Sequence, residues 1–438
     1  MQKVEEMQSG LLKPPSSPIL YQRAPQKLQP KLKNGATDVD IIILTLSRWD
    51  GPYSSTGFSM AKELSKTHRV FYIDNPFTIK DFIFDLGGYQ IRKRLKKFLL
   101  GKNVYHDLST AERKLIALTT SLELPINFLP DGLVYDLLLK VNDWIFFKAV
   151  KELMDRYQIN NFIFINVFNP FYGIQFPDFF QPKCYVYYTN DDIGNSLYVQ
   201  KHGVCLESKA FREASLVFAT SHELKKKALE HAERVHYLPN GVDQSLFFNR
   251  HVSRPIEFRS IQNPIIIFTG NCDHRLDYGL VRSILRRHPD KTLVMIGPIQ
   301  GEEADLDELK TYPNIKFFGR RDLAELPKYL HFASCAIIPY KCNALTRSIY
   351  PLKLNEYLAS GTPVVATPFS EDIKKFDGIV LIGESDGEFC DKITEAIAND
   401  SEEKKRERIS HAMKNNWQNR VNEFWDVVQH HMDTTPTR

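Results

Sequence analysis

Short, continuous apolar runs alternate with amphipathic segments through most of the chain. The run DIIILTLS at residues 40–47 predicts a strand buried on both faces, as in the interior of a parallel sheet. The segment after it spaces Met60, Ala61 and Leu64 as one face of a helix, and VFYID then predicts a second strand. This strand–helix–strand order predicts a parallel sheet with right-handed crossovers.

The pattern falls into two consecutive series joined by HVSRPIEFRSIQNP. Further strands of the first series are predicted at residues 162–168, 184–189, 215–221 and 234–240. Strands of the second series are predicted at residues 264–270, 292–297, 315–320, 335–340, 363–367 and 378–383. We therefore predict the α/β class, with two facing Rossmann-like domains. A ligand would bind in the cleft between them, beyond the carboxyl ends of the strands.

The same pattern sets the expected domain boundaries. Residues 1–36 are rich in Pro, Gln, Lys and Ser and predict a disordered tail. The first domain is predicted at residues 37–250 and the second at 251–410. The last helix, predicted at residues 411–432, carries an apolar stripe for packing on a core.

Composition narrows the class of protein. The net charge is only +4 over 438 residues, so a nucleic-acid partner is not expected. The six cysteines are scattered without metal-ligand spacing, which argues against a zinc site and favours reduced thiols. Neither an apolar signal segment nor a membrane-length apolar window is present, so we expect a cytoplasmic protein.

An ordered set of motifs resembles a known family. The set comprises EASLVFATSHELKKKA, VHYLPNGVDQSLF, PIIIFTGNCDHRLDYGLV, YPNIKFFGRRDLAELPKYL, CAIIPYKCNALTRSIYPLKLNEYLASGTPVVAT and a terminal WQNR. Together they resemble the nucleotide-sugar-dependent glycosyltransferases of the GT-B fold, family 4 in particular, over about residues 38–425. The PLK triplet is similar to that of teichuronic-acid and exopolysaccharide enzymes.

The resemblance implies a retaining transfer of a sugar from a nucleoside-diphosphate donor to a glycan or lipid-linked acceptor in surface polysaccharide synthesis. UDP is the nucleotide that the family most often uses. No cofactor and no metal ion are implied, and the motif DVD at residues 38–40 precedes a strand rather than following one. The helix at residues 411–432 is expected to cross back to the first domain.

The strongest candidate for donor binding is the helix that begins after Pro351. Its amino terminus would direct backbone N–H groups and a positive dipole into the cleft, beside Leu352 and Lys353. Lys353 and Glu356 share one helix face, so the lysine can hold the diphosphate. The resemblance gives the Glu356 carboxylate the role of accepting hydrogen bonds from the ribose.

One position departs from the family pattern. Family 4 enzymes usually carry a glutamate eight positions before Glu356, and this chain has Ser348 there. A serine can bond a sugar hydroxyl, but it cannot pair with developing positive charge. We expect Thr346 or Arg347 to line the same wall of the donor site as Ser348.

Other donor contacts are predicted at strand ends of the second domain. Gly270 and Asn271 would let the backbone approach phosphate, and Arg275 is the best local cation. Gly297 and Arg320 would frame the nucleotide base. The plain alternative is a solvated loop arginine for Arg275 and a surface charge at a helix amino terminus for Arg320.

In the first domain the loop SRWDGPYSSTG is the candidate acceptor site. Trp49 would stack on a sugar ring, or else anchor the loop to its own domain, and Ser54 and Ser55 would let the acceptor approach. Asp191 and Asp192 follow a strand, and one of them would orient or deprotonate the acceptor hydroxyl. Capping of the next helix is the alternative for this pair.

Residues 89–103 predict a basic amphipathic helix. Ile91, Leu95, Phe98 and Leu99 would form one apolar face, surrounded by Arg92, Lys93, Arg94, Lys96 and Lys97. Such a helix suits the anionic inner face of a membrane, whereas packing on its own sheet is the alternative.

Two alternative functions stay open. A sugar-nucleotide epimerase can share the two-domain architecture, and Ser348 allows for a non-catalytic protein that binds nucleotide sugars or glycans. The motifs NGVD and PLKLNEYLASG favour the transferase.

Overall fold

The computed structural model describes residues 39–51, 55–195, 199–248, 252–300 and 303–434, with side chains omitted for 303–306. Thr37–Arg438 form one compact unit. The predicted tail at residues 1–36 and the candidate Ser54 lie outside the described residues.

The strands are β1 Asp40–Thr45, β2 Arg69–Ile73, β3 Val104–Asp107, β4 Lys114–Thr119, β5 Phe162–Val167, β6 Cys184–Thr189, β7 Leu216–Ala219, β8 Val235–Tyr237, β9 Ile265–Thr269, β10 Thr292–Ile296, β11 Ile315–Gly319, β12 Cys335–Ile338, β13 Val364–Ala366 and β14 Leu381–Ile382. The α-helices are α1 Thr56–Leu64, α2 Ile79–Phe84, α3 Tyr89–Leu99, α4 Leu133–Tyr157, α5 Gln200–Glu213, α6 His222–Leu229, α7 Gln244–Phe247, α8 Tyr278–Arg287, α9 Glu303–Lys310, α10 Leu326–His331, α11 Ala344–Arg347, α12 Leu352–Ala359, α13 Glu371–Lys374, α14 Asp386–Ala398, α15 Glu402–Lys414 and α16 Trp417–Thr434.

The first sheet has the strand order β3-β4-β2-β1-β5-β6-β7-β8 and is parallel apart from the β3–β4 pair at its edge. In its centre Ile42 of β1 lies opposite Phe71 of β2 and Phe164 of β5. These strands are buried on both faces, which explains their unbroken apolar runs.

The second sheet is parallel throughout, in the order β11-β10-β9-β12-β13-β14. Ile267 at its centre pairs with Val294 and Ala336, and all three are fully buried. The chain is therefore an α/β protein with two parallel-sheet domains, as predicted. The residue boundaries 250/251 and 410/411 stay predictions.

The final helix α16 packs on the first domain. Trp417, Val421 and Phe424 belong to the core that also contains Ile41 and the other buried side chains on that face of the first sheet. The rings of Phe424 and Phe218 lie 4.9 Å apart. The end of the chain thus ties the second domain to the first.

Helix α3 departs from the predicted membrane-facing orientation. Ile91 and Phe98 are buried in a small core with Phe77, and the rings of Phe77 and Phe98 lie 5.4 Å apart. Ile91 and Phe98 therefore follow the alternative of packing within their own domain, and membrane contact by the rest of the segment stays a prediction. Leu99 remains exposed and Leu95 is half-buried.

Arg94 also differs from the prediction for this segment, which counted it among the basic residues at the surface of the helix. Its side chain is fully buried, and its guanidinium pairs with Asp50 at 2.8 Å and with Asp74 at 3.5 Å. Burial raises the pKa of Asp74 to about 6, partly opposed by the hydrogen bond from Thr119. Arg94 therefore belongs to an internal ionic network rather than to a basic surface.

Candidate active site

The carboxyl ends of the two sheets border a cleft of about 440 Å³. Side chains of the first domain that line it include Ser47, Ser55, Thr56 and Asp191. Residues of the second domain that line it are Gly270, Asn271, Arg275, Tyr340, Ile349, Tyr350, Pro351, Leu352 and Lys353. The structure thus brings together predicted residues from both domains.

The amino terminus of α12 opens into this cleft. Pro351 is the N-cap residue, no side chain caps the first turn, and no acidic residue lies within it. The first N–H groups of a helix have no partner inside the helix, and the helix dipole adds partial positive charge there. The geometry is that of an anion site at Leu352 and Lys353.

Lys353 is held at the edge of this site by aromatic neighbours. Its Nζ donates to the hydroxyl of Tyr340 at 2.7 Å and lies 4.2 Å from the ring centroid of Phe268. A Cβ at Gly270 would lie 2.8 Å from the same Nζ, and the φ of +125° at Gly270 also favours glycine. Gly270 therefore leaves room for the ammonium group.

Gly297 has a different role from the predicted one. A Cβ at this position would lie 1.9 Å from the carbonyl oxygen of Gly270, and its φ is +150°. Gly297 also lies outside the residues that line the cleft. The absence of a side chain at Gly297 therefore makes room for the backbone of Gly270 rather than for a nucleotide base.

Glu356 lies one turn after Lys353 on the same helix face, and it is not among the residues that line the cleft. Burial raises the pKa of its carboxyl group to about 7, an effect that the charge of Lys353 partly opposes. Among the described residues, no donor forms a hydrogen bond with this carboxyl group. Its capacity to accept hydrogen bonds from hydroxyl groups is therefore unused.

Arg275 is fixed by a neighbouring carboxylate. Its Nε donates to Asp273 at 2.9 Å and its Nη2 donates to the other oxygen of Asp273 at 2.6 Å. Burial alone would lower the pKa of Arg275, but the bonds to Asp273 raise it overall, with Asp191 of the first domain contributing. The arginine is thus a rigid cation that faces Asp191 across the cleft.

The structure separates the two candidate aspartates. Asp191 lines the cleft and is exposed there, and loss of hydration between the cleft walls raises its pKa. Asp192 is buried, pairs with Lys227, and accepts hydrogen bonds from Asn195 Nδ2 at 2.7 Å and from the Gly194 N–H at 3.1 Å. Asp192 therefore shapes the turn and is not brought into the cleft.

The loop before α12 corrects three predicted donor contacts. Thr346 is fully buried and its hydroxyl donates to the Lys341 carbonyl, while the Ser348 hydroxyl donates to the Leu345 carbonyl at 2.7 Å. Arg347 is exposed outside the cleft lining. The hydroxyl groups of Thr346 and Ser348 thus donate to nearby backbone carbonyls. The structure brings none of the three side chains to the cleft.

The structure favours the anchoring alternative for Trp49. Its backbone N–H donates to Asp74 at 2.9 Å, its ring lies 5.0 Å from that of His106, and Lys93 Nζ lies 4.3 Å from the indole centroid. Ser55 does line the cleft, and it also caps α1 by accepting from the N–H of Phe58 at 3.2 Å.

Of the two remaining predicted donor residues, one lines the cleft and the other does not. Asn271 lines the cleft, and its side chain donates to Gln300 at 3.2 Å. Arg320 is exposed beyond the end of β11 and lies outside the cleft lining.

Sequence reasoning missed the residues that join the walls. Asn240 accepts a hydrogen bond from the hydroxyl of Thr56 at 2.8 Å, and its carbonyl accepts one from Asn355 Nδ2 at 2.9 Å. It therefore links α1 to α12. The motif NGVD contains this residue and was the available signal. Tyr340, which orients Lys353, ends a predicted strand without any further signal.

The described part of the chain contains neither a group of metal ligands nor a membrane-spanning helix. Within the described ranges, no three His, Cys, Asp or Glu side chains are grouped as metal ligands would be, and Asp40 of the DVD motif pairs with Arg69 at 2.5 Å. No helix in the described part of the chain is long and apolar enough to span a bilayer.

Part of the chain is similar to known glycosyltransferases. Residues 263–399 match the family described as glycosyl transferases group 1. A Bacillus subtilis (strain 168) protein named "Putative teichuronic acid biosynthesis glycosyltransferase TuaH" is 31% identical over 147 residues. That match covers 33% of this chain and only 37% of the relative.

Solved structures resemble the whole fold at low sequence identity. Sucrose-phosphate synthase from Thermosynechococcus elongatus has a TM-score of 0.62 at 14% identity, over 90% of this chain and all of that chain. The UDP-forming trehalose-phosphate synthase of Burkholderia vietnamiensis has a TM-score of 0.63 at 10% identity, over 92% of this chain and all of the other. Anabaena HepE in complex with UDP and glucose has a TM-score of 0.57 at 13% identity, over 89% and 99% of the two chains.

The comparisons therefore confirm the predicted resemblance: residues 263–399 are similar to glycosyl transferases group 1, and the chain shares the GT-B fold of the solved structures.

Proposed function

We propose that the protein is a retaining glycosyltransferase that moves a sugar from a nucleoside-diphosphate sugar to an acceptor hydroxyl in surface polysaccharide synthesis. The observation that carries this proposal is the convergence of the α12 amino terminus, Lys353 and Arg275 on one cleft wall, opposite Asp191. The match to glycosyl transferases group 1 covers this wall, and the named Bacillus subtilis relative supports the polysaccharide context.

The donor in this proposal is a UDP-sugar. Its diphosphate lies against the first turn of α12 and between the cations Lys353 and Arg275, and its ribose hydroxyls donate to Glu356. The HepE complex with UDP and glucose and the UDP-forming trehalose-phosphate synthase support UDP as the nucleotide. The three positive groups neutralise the diphosphate, so no metal ion is needed, and excess EDTA should leave turnover unchanged.

The reaction exchanges one bond at the anomeric carbon. The acceptor oxygen bonds to that carbon on the same face from which the diphosphate oxygen departs, so the anomeric configuration is retained. The hydroxyl proton passes to Asp191, and UDP leaves with the bonding electron pair. The raised pKa of Asp191 makes its carboxylate a better proton acceptor, and the fixed cations stabilise the charge on the leaving group.

A thermal-shift screen of UDP-, GDP- and ADP-sugars, followed by an assay of nucleotide release over an acceptor panel, tests this function. We expect a UDP-sugar to raise the unfolding temperature, and Glu356→Ala to abolish that rise. UDP release should require an acceptor, and NMR of the product should show the donor's anomeric configuration.

The same assays separate the alternatives. Exchange of the sugar's configuration without an acceptor would indicate an epimerase, and donor binding without release across the panel would indicate a binding protein. An inverted product would contradict the retaining mechanism.

We propose further that the acceptor lies at the anionic inner face of a membrane. The protein would contact that membrane through a surface that differs from the predicted face of the helix at residues 89–103. This α2–α3 surface consists of the exposed apolar residues Ile83, Phe84, Leu86, Tyr89, Leu99 and Leu100 with the exposed basic residues Arg92, Lys96 and Lys97. Phe84 is 82% exposed. Apolar side chains among cations complement an anionic bilayer surface.

Sedimentation with phosphatidylglycerol–phosphatidylcholine vesicles tests this contact. We expect the protein to bind at low salt, and the double variant Phe84→Ser with Leu99→Ser to remain in the supernatant. Trp144→Ser is the matched control, because Trp144 is also exposed, at 64%, but lies on α4. Release by the control variant instead of the double variant would contradict the assignment of the α2–α3 surface.

A further inference from the structure

A second cavity of about 260 Å³ lies within the first domain, between α2 and α4. Thr78 and Asp81 line it from the α2 side, and Leu139 and Asn142 line it from α4. Leu46 lines both this cavity and the interdomain cleft, so the two spaces adjoin. The volume lies just below the roughly 300 Å³ at which sites for drug-sized ligands begin, which suits one small ring.

Glu123 is the unusual polar group of this cavity wall. Its side chain is only 4% exposed, and one carboxyl oxygen accepts a hydrogen bond from the buried hydroxyl of Tyr172. The other oxygen, Oε1, is buried and has no hydrogen-bond partner among the described residues. A buried polar atom without a partner costs stability, so such an atom in a native protein calls for a functional explanation.

The lining excludes an anionic ligand. Its ionisable side chains are the acids Asp81 and Glu123 and the phenol Tyr172, with no lysine or arginine among the lining residues. Arg48 lies 3.7 Å from Asp81, but its guanidinium donates to backbone carbonyls at Asn75 and Pro76. The lining residues therefore offer no cation to a phosphate or carboxylate ligand, whereas a neutral ligand needs none.

The rest of the lining suits a polyhydroxylated ring. Phe171, Leu139 and Ile126 offer apolar surface, while Asn127 offers amide donors and acceptors. Burial raises the pKa of Glu123 to about 8, with the Tyr172 hydrogen bond opposing the rise. The carboxyl group is therefore protonated at neutral pH and can both donate to and accept from a hydroxyl group.

We propose that this cavity binds a neutral sugar unit of the acceptor and so delivers the acceptor chain to the cleft at Leu46. The inference rests on the proposed glycosyltransferase function and specifies its acceptor: a glycan with an uncharged sugar unit next to the reacting end. The cavity would reject a phosphorylated or carboxylated sugar at that position.

Saturation-transfer NMR with the full chain tests the site. The probes are the methyl glycosides of glucose, galactose and N-acetylglucosamine, with glucuronic acid as the charged counterpart. We expect at least one neutral glycoside to bind, and glucuronic acid to bind at least about 10-fold more weakly, a difference of about 1.4 kcal/mol.

Two tryptophan substitutions on α4 locate the binding. Leu139→Trp fills the cavity and should weaken glycoside binding at least about 10-fold, or about 1.4 kcal/mol. Leu137→Trp, whose side chain is exposed on another face of α4, is the matched control and should leave binding unchanged. Glu123→Gln should retain binding, since an amide also donates and accepts, whereas Glu123→Leu should lose it.

The outcomes distinguish this site from the donor site. UDP affinity is measured on the same proteins and should be unaffected by Leu139→Trp. Absence of neutral-glycoside binding, equal binding of glucuronic acid, or unchanged binding by Leu139→Trp would each overturn the inference while UDP binding still supported the transferase. Loss of UDP binding in the unmodified chain would instead overturn the proposed function.

Discussion

The two walls of the cleft differ in how they are built. The wall from the second domain is largely backbone and helix geometry: the amino terminus of α12 and the close approach of Gly297 to Gly270, with Lys353 placed against Tyr340. The wall from the first domain depends on individual loop side chains. Other loop side chains of this domain, including Trp49 and Asp192, are engaged within their own domain and do not line the cleft.

This difference has a physical meaning. A diphosphate is the same in every nucleotide sugar, so a fixed array of N–H groups and cations can serve any donor. Acceptors differ in shape, so the facing wall uses loops that can vary while the sheet stays the same. The comparison predicts that changes in the second wall abolish donor binding, whereas changes in the first wall affect turnover selectively.

The largest effect is expected from removing the cation at α12. Lys353→Met should lower kcat/KM by roughly 10²–10³-fold, the loss typical of one preorganised group at a developing charge. Steady-state kinetics with a UDP-sugar would measure it. Arg347→Ala is the matched control, because this cation lies outside the cleft lining, and it should change kcat/KM less than about 2-fold. Equal losses in both variants would contradict the assignment of the donor site to the cleft.

A somewhat smaller effect on turnover is expected from the first wall. Asp191→Asn should lower kcat by about 10²-fold, because proton transfer loses its acceptor, while UDP affinity stays unchanged. Asp192→Asn removes the partner of Lys227 and should lower thermal stability instead. Kinetics and thermal unfolding of the two variants check this. A loss of kcat only in Asp192→Asn would reverse the assignment.

The glycine pair should affect stability. Gly297→Ala would place a Cβ 1.9 Å from the Gly270 carbonyl and should cost about 2 kcal/mol of unfolding free energy, roughly a 30-fold shift in the folded-to-unfolded ratio. Gly319→Ala is the control, with a positive φ of +62° but open space, and should cost about 1 kcal/mol. Denaturant titration measures both. A smaller cost at Gly297 than at Gly319 would show that the backbone approach is not tight.

The smallest effect concerns pH. The pKa of Glu356 is raised to about 7, and ribose hydroxyls donate best to the ionised carboxylate. Affinity for a UDP-sugar should therefore rise several-fold as pH increases from about 6 to 8 through that pKa. Calorimetry should find Glu356→Gln independent of pH, and a persistent rise in that variant would assign the titration to another group.

The strands could be predicted where they are buried on both faces, because apolar and aromatic residues make up most of β1, β5, β6 and β9. The edge strand β3 was missed because it has only four residues, of which only Val104 is buried, and its neighbour β4 was missed because its first three positions alternate half-buried and buried. Helix α4 was missed because apolar residues also occupy its solvent face, among them Leu133, Leu137 and Trp144, which blurs the helical period.

Within the site, prediction succeeded where chemistry is local. Lys353 and Glu356 share a helix face by spacing alone, and Pro351 marks where the helix begins. Asp191 and Asp192 could not be separated, because the separation depends on Lys227, a residue 35 positions away. The same holds for Arg94, whose burial depends on Asp50 and Asp74.

A crystal structure of the chain with UDP tests the central claim most directly. The diphosphate should lie within hydrogen-bond distance of the first backbone N–H groups of α12 and of Lys353 Nζ, with the ribose hydroxyls on the Glu356 carboxylate. UDP bound elsewhere in the chain, or in the cleft with its diphosphate turned away from α12, would contradict it.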